Sequence, residues 1–320
     1  MPDRSQPHDA RLVLDDGSAV RCACIDIGSN TTRLLVGDVD AQRGLQRIHE
    51  ERVFTRLGEG LGRSGATFTP EKLAAVTAVV AAHERVAREL GAQTVAVVGT
   101  AALRRARNRS ELELSIEGAC GLAVRVLDAG AEARLAFAGA THALAGHSEG
   151  PVAVVDVGGG SSELITGSWP GAGDGGPRSV RIAFCSSIEL GSLDLTEQLI
   201  AHDPPSAEEL AAIEARVQQA FASVDPPAAA LALAVGGSAT SLARLAGREL
   251  NPESLRQALV ALTAGPAREV AQRHDLHSER ARLLPAGILV LAQASRALGL
   301  PLQIGAGGVR EGVVLELADG

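Results

Sequence analysis

A chain of 320 residues with a formal net charge of −8 is long enough for two hydrophobic cores and too acidic to hold nucleic acid through a broad basic surface. Hydrophobic residues make up 46% and charged residues 21%, an ordinary globular balance, whereas aromatics are 2% with no tyrosine. Few rings are on hand to stack a nucleobase, so an anionic ligand must be met by local positive charge.

In chain order, residues 1–7 read as disordered and Arg11 to Val39 as strands. Leu45 to Thr55 is a further strand, leading into Arg56-Leu-Gly-Glu-Gly-Leu-Gly-Arg63. That glycine- and arginine-rich loop suits an anion-binding segment or a plainly flexible one. Thr69 and Pro70 open a helix as N-cap and first-turn proline, with Leu73, Val76, Val80, Ala87 and Leu90 as its buried stripe and Gly91 closing it. Val95 to Val98 is a buried strand ending at Gly99-Thr100, and Arg104, Arg105, Arg107 and Arg109 follow as the densest positive patch in the chain. Ligands of α/β proteins sit at the carboxyl ends of strands, so at least one of these arginines is expected in a cleft.

Leu122 to Leu127 reads as a strand and Ala131 to Ala145 as a helix beginning near Glu132. After Val152 to Gly167 comes a Gly/Pro-rich surface loop, Trp169 to Arg178, then a strand from Val180 to Phe184 and an amphipathic helix from Ser206 to Ser223. Ala232 to Leu242 is a strand turning at Gly236-Gly237, with a helix expected from Ser238 whose N-terminal dipole could meet a phosphate or a nucleotide. Helices run to Leu300, then a short strand, Gly305-Ala-Gly-Gly, and a closing helix from Arg310. The alternation of strands and helices is that of an α/β protein. Cys22, Cys24, Cys120 and Cys185 follow no zinc spacing and are expected to be reduced and buried. No signal-peptide pattern is present, and the apolar run Leu283 to Leu300 is broken by Pro285, Gln293, Ser295 and Arg296. A cytoplasmic protein away from membranes is expected.

The densest chemistry lies in Val152 to Gly167, where four apolar residues run into Asp156, then Gly158, Gly159 and Gly160, then Ser161, Ser162 and Glu163. This reads as strand, tight turn, strand. The glycines can turn a row of backbone N–H groups toward a phosphate, or serve simply as a hairpin turn; Asp156 at the strand end suits a divalent cation. Cys24 to Gly37 repeats the stretch at a constant offset of 130 residues, pairing Asp26 with Asp156, Gly28 with Gly158 and Leu34 with Leu164. Two related halves, each with a phosphate loop, could clamp one polyanion. Paired strand–Asp–x–Gly turns resemble the actin-like superfamily, an α/β duplicated two-lobe fold with an interdomain cleft. The expected lobes are 11–139 and 140–302, with 303–320 packing back on the first.

Asp26-Ile-Gly-Ser-Asn-Thr-Thr-Arg-Leu, Arg56-Leu-Gly-Glu-Gly-Leu, Gly99-Thr-Ala-Ala-Leu-Arg104, Glu132-Ala-Arg-Leu, Asp156-Val-Gly-Gly-Gly-Ser-Ser-Glu163, Gly236-Gly-Ser and Arg310-Glu-Gly, in that order over about Cys24 to Val314, resemble the exopolyphosphatase / guanosine pentaphosphate phosphohydrolase family. The resemblance implies hydrolysis of a terminal phosphoanhydride in the cleft, with Mg2+ or Mn2+, on inorganic polyphosphate or guanosine pentaphosphate (pppGpp). By the same resemblance Glu132 activates water, and Asp156 and Glu163 stand at the metal and the attacking water; Asp26, a hard oxygen ligand beside the first loop, is expected to join them as a metal ligand. Asn30, Arg33 and Arg104 match phosphate contacts, as do the amides from Gly158 to Ser161. Ser29, Thr31, Gly236, Gly237 and Ser238 complete the expected phosphate-binding set. A carboxylate in the first turn of a helix is expected to be kept ionised by the helix dipole. The chain stops where two lobes are complete, so it resembles the short form without an auxiliary helical region. Asp194 stands where relatives often carry a basic or neutral residue, which weakens any polyphosphate contact there. Short polyphosphate is the expected substrate and pppGpp the alternative; an actin-like kinase or ATPase is the competing class. A homodimer is admitted; nucleic acid and membrane are not expected as partners.

Overall fold

The computed structural model describes residues 19–40, 44–61, 66–144, 150–169 and 180–319. The expectations for residues 1–7, for Arg63 and for the loop ending at Arg178 fall outside them. In the first half, β1 (Val20–Ile27), β2 (Thr32–Asp40) and β3 (Gly44–Val53) form an antiparallel meander. After helix α1 (Pro70–Glu89), capped by the Thr69 side chain as expected, β4 (Thr94–Gly99) lies parallel to β1. The short helix α2 (Ala101–Arg105), α3 (Arg109–Cys120), β5 (Val124–Val126) and α4 (Ala129–Thr141) follow. The sheet order is β3-β2-β1-β4-β5.

The second half repeats this plan. β6 (Val152–Val157), β7 (Ser162–Ser168) and β8 (Arg181–Ile188) are the meander. α5 (Ser192–Leu199) and α6 (Ala207–Phe221) lead to β9 (Leu231–Val235), parallel to β6, and to α7 (Gly236–Ala246). The two-residue β10 (Glu249–Leu250), α8 (Pro252–Leu262), α9 (Ala267–Arg273), α10 (Ser278–Leu298), β11 (Leu302–Ile304) and α11 (Val309–Ala318) complete it. The order β10-β11-β9-β6-β7-β8 equals that of the first sheet once β10 is set aside. This is the expected α/β, actin-like fold of two duplicated lobes. Both apolar faces of each central strand are covered, as parallel strands require.

One helix serves both lobes. α4 turns Ala131, Leu135 and Ala136 toward the first sheet and α11, and Ala133, Phe137 and Ala140 toward β6, β7 and β9. Its backbone crosses α11 so closely that a Cβ on Gly139 would sit 1.9 Å from the Gly308 carbonyl oxygen, and one on Gly312 2.1 Å from that of Leu135. Any larger residue there would force α4 and α11 apart.

Three local expectations differ. α4 starts at Ala129, where Asp128 caps it by accepting from the Ala131 amide at 2.7 Å. α7 starts at Gly236 rather than Ser238, because Gly236 takes φ +81° and turns the chain into the helix without a linker. Cys22 and Cys24 are buried, but Cys120 is half-buried and Cys185 exposed on the edge strand β8. Among the described residues no helix is long and apolar enough to cross a membrane.

Candidate active site

The duplication places two equivalent turns face to face. In each, a strand ends in an aspartate and a glycine amide closes the turn: Gly28 N–H donates to Thr31 O at 3.0 Å, and Gly158 N–H to Ser161 O at 3.0 Å. Each turn is braced from behind. Arg56 and Gly58 donate amides to the carbonyls of Asn30 (3.0 Å) and Ser29 (2.7 Å); Ser192 and Leu193 donate to those of Gly158 (3.0 Å) and Gly159 (2.9 Å). With their carbonyls engaged from behind, the loops close on each other: a Cβ on Gly159 would lie 3.2 Å from the Ser29 Cβ.

Between the loops lies a cleft of about 300 Å³, reaching Asp26, Arg33, Glu132 and Asp156. It draws in Ser29, Asn30 and Thr31 from the first loop, Gly158 to Ser161 from the second, and Gly236 and Gly237 from the third turn. Gly236 is needed there for a second reason: a Cβ would stand 2.2 Å from Asp156 Oδ1. Three expected residues do not line the cleft. Ser238 is buried within α7, its Oγ 2.8 Å from where a Cβ on Gly287 would stand. Glu163 is buried beside Asp156, its register partner across β6 and β7, and accepts from Ser187 Oγ at 2.9 Å. Arg104 turns away from the cleft wall, donating to Leu127 O at 2.9 Å and forming an ion pair with Glu132 Oε2.

The electrostatics are those of a site short of ligands. Burial, and then the nearby Glu132 and Asp26 carboxylates, push Asp156 up to about 7. Burial drives Glu163 well above the carboxylate range, the Glu132 and Asp156 charges adding to it against the Ser161 and Ser187 hydroxyls. Glu132 is also raised by burial, with Arg104 opposing. Burial thus works against the helix dipole expected to keep Glu132 ionised, while the Arg104 guanidinium works with it. On the cationic side, burial lowers Arg33 and Arg280 each to about 10, Arg310 adding to the effect on Arg33 and Arg52 to that on Arg280. The Nε atoms of Arg33 and Arg280, both amide atoms of Asn30 and Asp26 Oδ1 are buried without hydrogen-bond partners. Buried polar groups are ordinarily satisfied, so orphaned donors and acceptors gathered at one cleft fit a polyanionic ligand and a cation.

Among the described residues no three His, Cys, Asp or Glu side chains lie close enough to cage a metal ion by themselves. Mg2+ does not need such a cage: it is commonly held by one or two carboxylates with water and phosphate oxygens. The orphaned Asp26 Oδ1 and the charge-stressed Asp156 fit that mode; Glu163, engaged by a serine, fits it less well.

Arg280, Arg47 and Glu50 also line the cleft, with no prior sign in the sequence reading; Arg310 and Glu311 had appeared there only as a motif. Arg310 donates to Leu34 O at 3.1 Å and pairs with Glu50 at 3.0 Å, and Glu311 pairs with Arg47 at 2.9 Å. A signal for Arg280 existed: it shares a helical face with Leu283, Leu284 and Gly287, all buried, where an arginine calls for a reason.

The Ppx/GppA phosphatase family matches residues 35–319. Exopolyphosphatase 2 of Mycobacterium tuberculosis is 28% identical over 93% of this chain and 98% of its own length. The solved structure of an exopolyphosphatase-like protein superposes with a TM-score of 0.80 at 26% identity, over 94% of this chain and 98% of that one. The Aquifex aeolicus PPX-GPPA enzyme gives 0.74 at 26% identity, over 93% and 99%. With paired strand–Asp–x–Gly turns, clustered carboxylates and a match over most of its length, the chain belongs to the Ppx/GppA phosphatase family and is an enzyme of phosphoanhydride hydrolysis.

Proposed function

We propose that the protein is an exopolyphosphatase that removes the terminal phosphate of short inorganic polyphosphate, with Glu132 as general base. The observation that carries this reading is one cleft in which two glycine loops, the carboxylates of Asp26, Glu132 and Asp156, with Glu163 buried beside Asp156, and two arginines with unpartnered Nε atoms converge. The loop amides from Gly158 to Ser161 and the side chains of Ser29, Asn30, Thr31 and Arg33 bind the terminal and following phosphates. Gly236 and Gly237 bound the far wall. Glu132 takes the proton of the attacking water, which Glu163 helps to orient; the raised pKa of Glu132 makes it a better proton acceptor than a free carboxylate. Arg104 keeps the Glu132 carboxylate aimed and charged. Asp26 and Asp156 hold Mg2+ or Mn2+, which when bound reduces the charge on the phosphoryl oxygens. The lobes divide near residue 139, and 303–320 belongs with the first, a division supported by α11 packing on β1 and α4.

The substrate choice rests on charge and on the scarcity of rings. Arginines recognise phosphate, and with 2% aromatics there is little to stack a guanine. Phosphate release measured on tri- and tetrapolyphosphate, longer chains, pppGpp and ATP, with and without Mg2+, tests it. The short polyphosphates should give the highest kcat/KM; a higher value for pppGpp would make the protein a pentaphosphate phosphohydrolase on the same machinery.

A further inference from the structure

Helix α2 is only five residues long, yet its last two side chains reach in different directions to two parts of the catalytic apparatus. Arg104 holds Glu132. Arg105 crosses to the other lobe, donating Nη1 to Asp194 Oδ2 at 2.5 Å and Nη2 to Asp194 Oδ1 at 3.3 Å. The pair is largely shielded, with side-chain exposures of 12% and 8%. Asp194 is itself tied to the second phosphate loop, since its amide donates to Gly159 O at 3.1 Å, beside the amide of Leu193 at 2.9 Å. The Arg105 guanidinium also lies against that loop: a Cβ on Gly160 would stand 2.5 Å from Nη2 and 2.7 Å from Ser29 Oγ of the first loop. The base and the phosphate loop, from different lobes, thus hang on adjacent residues of one turn of helix.

We propose that Arg105 and Asp194 are positioning residues for hydrolysis, a cross-lobe clamp that fixes the second phosphate loop relative to Glu132. Neither residue of the clamp lines the cleft. It acts by registering α2 against the start of α5, so that the loop amides hold the terminal phosphate at the distance where Glu132 can activate water. A bidentate arginine–carboxylate pair suits this because it fixes angle as well as separation. Misplacement of about 1 Å can cost on the order of a hundredfold in rate without loss of binding. The clamp also explains why Arg105, though in the positive patch, is not a phosphate ligand: its charge is spent on Asp194. The inference rests on the reading of Glu132 as the base.

The test is a double-mutant cycle on the full chain with tripolyphosphate and Mg2+: Arg105→Ala, Asp194→Asn and the double variant, with Glu132→Gln in parallel. Each single variant should lower kcat about ten- to a hundredfold while KM moves less than about threefold, and the double variant should lose no more than the worse single, as coupled residues do. Losses that multiply in the double variant, a change carried by KM, or kcat within about twofold of the parent in either single variant would overturn the clamp. Should a truncation unfold the protein, Asp194→Glu keeps the charge and shifts the carboxylate by one methylene. It should retain the parent melting temperature and still lose about three- to tenfold in kcat, whereas an unchanged kcat would refute positioning. Turnover retained by Glu132→Gln would instead sink the general-base reading, and the Arg105–Asp194 coupling would still be read from its own cycle.

Discussion

Asp156→Asn should stabilise the metal-free protein at pH 8 while abolishing its turnover. Asp156 lies at the cleft floor with Glu132, Asp26 and Glu163 acting on it or beside it, and its pKa rises from 3.8 to about 7. Below pH 4 the carboxyl is protonated in folded and unfolded chains alike, and nothing is lost. As pH climbs from about 4 to 7 the unfolded chain releases this proton and the folded one retains it, so folding stability falls; above 7 the cost is constant. A shift of this size is worth about 4 kcal/mol at 1.36 kcal/mol per unit. Asp156 keeps one side open to the cleft, which brings the expected gain at pH 8 to about 2–4 kcal/mol. Melting curves of parent and variant in chelator from pH 4.5 to 8 read it directly. The variant's advantage should grow with pH to about 3–6 °C for a chain of this length, and added Mg2+ should erase it by stabilising the parent alone. A melting-temperature difference that does not change between pH 5 and pH 8 would show that Asp156 carries no charge stress, and with it would go the argument that this site is built to bind a cation.

Glu132→Gln should leave the fold intact and reduce phosphate release by about 10²–10⁴-fold, the usual share of a general base; near-normal turnover would remove Glu132 from the mechanism. Arg104→Ala should act mainly on kcat, because Arg104 grips Glu132 rather than lining the cleft; a rise confined to KM in steady-state kinetics would return it to phosphate binding. Exhaustive chelation should abolish turnover, with activity restored by Mg2+ or Mn2+, and full activity in chelator would leave Asp26 and Asp156 as hydrogen-bond acceptors only. Raising salt from about 0.05 to 0.5 M should raise KM for tripolyphosphate by screening the cleft arginines, and a KM indifferent to salt would argue against recognition by charge.

The sequence disclosed the parts of this site that depend on local chain geometry. A strand ending in aspartate and then glycine must turn, and the 130-residue offset put both turns in one plan before any coordinates. What it could not disclose depends on what comes to lie next to what. Arg280 stands just before the apolar run Leu283 to Leu300; it reaches the cleft only because α10 runs behind Gly237, where a Cβ would stand 2.6 Å from its Nη2. Asp194 stands out in the sequence only as an acid where relatives often carry a basic or neutral residue; it lies in the first turn of α5, and its partner stands 89 residues earlier in the other lobe. The expectation that Glu132 is the base rests on family resemblance, since an acid near a helix start carries no such message. The upward pull on its pKa is hidden for a physical reason: dipoles are local and visible in sequence, whereas desolvation is set by everything folded around the group.

The two halves also show how one plan supplies two kinds of chemistry. The register pairs Asp26 with Arg33 across β1 and β2, and Asp156 with Glu163 across β6 and β7. Arg33 and Glu163 are thus the same position in the two copies, carrying opposite charges. In the first lobe the pair is close to neutral, and the orphaned donors of Arg33 and Asn30 make it a place to receive phosphate. In the second lobe two acids stand side by side with Glu132 acting on both, which no fold tolerates without protons, cations or incoming positive charge. A symmetric duplicate with two arginines could bind a polyanion but would have no acid pair at the metal and the water. One with two glutamates could hold a cation but would repel the phosphate chain. On the proposed reading, the reversal at this one position would divide substrate binding from water activation between the lobes, and turnover would then depend on the register of the lobes rather than on either lobe alone.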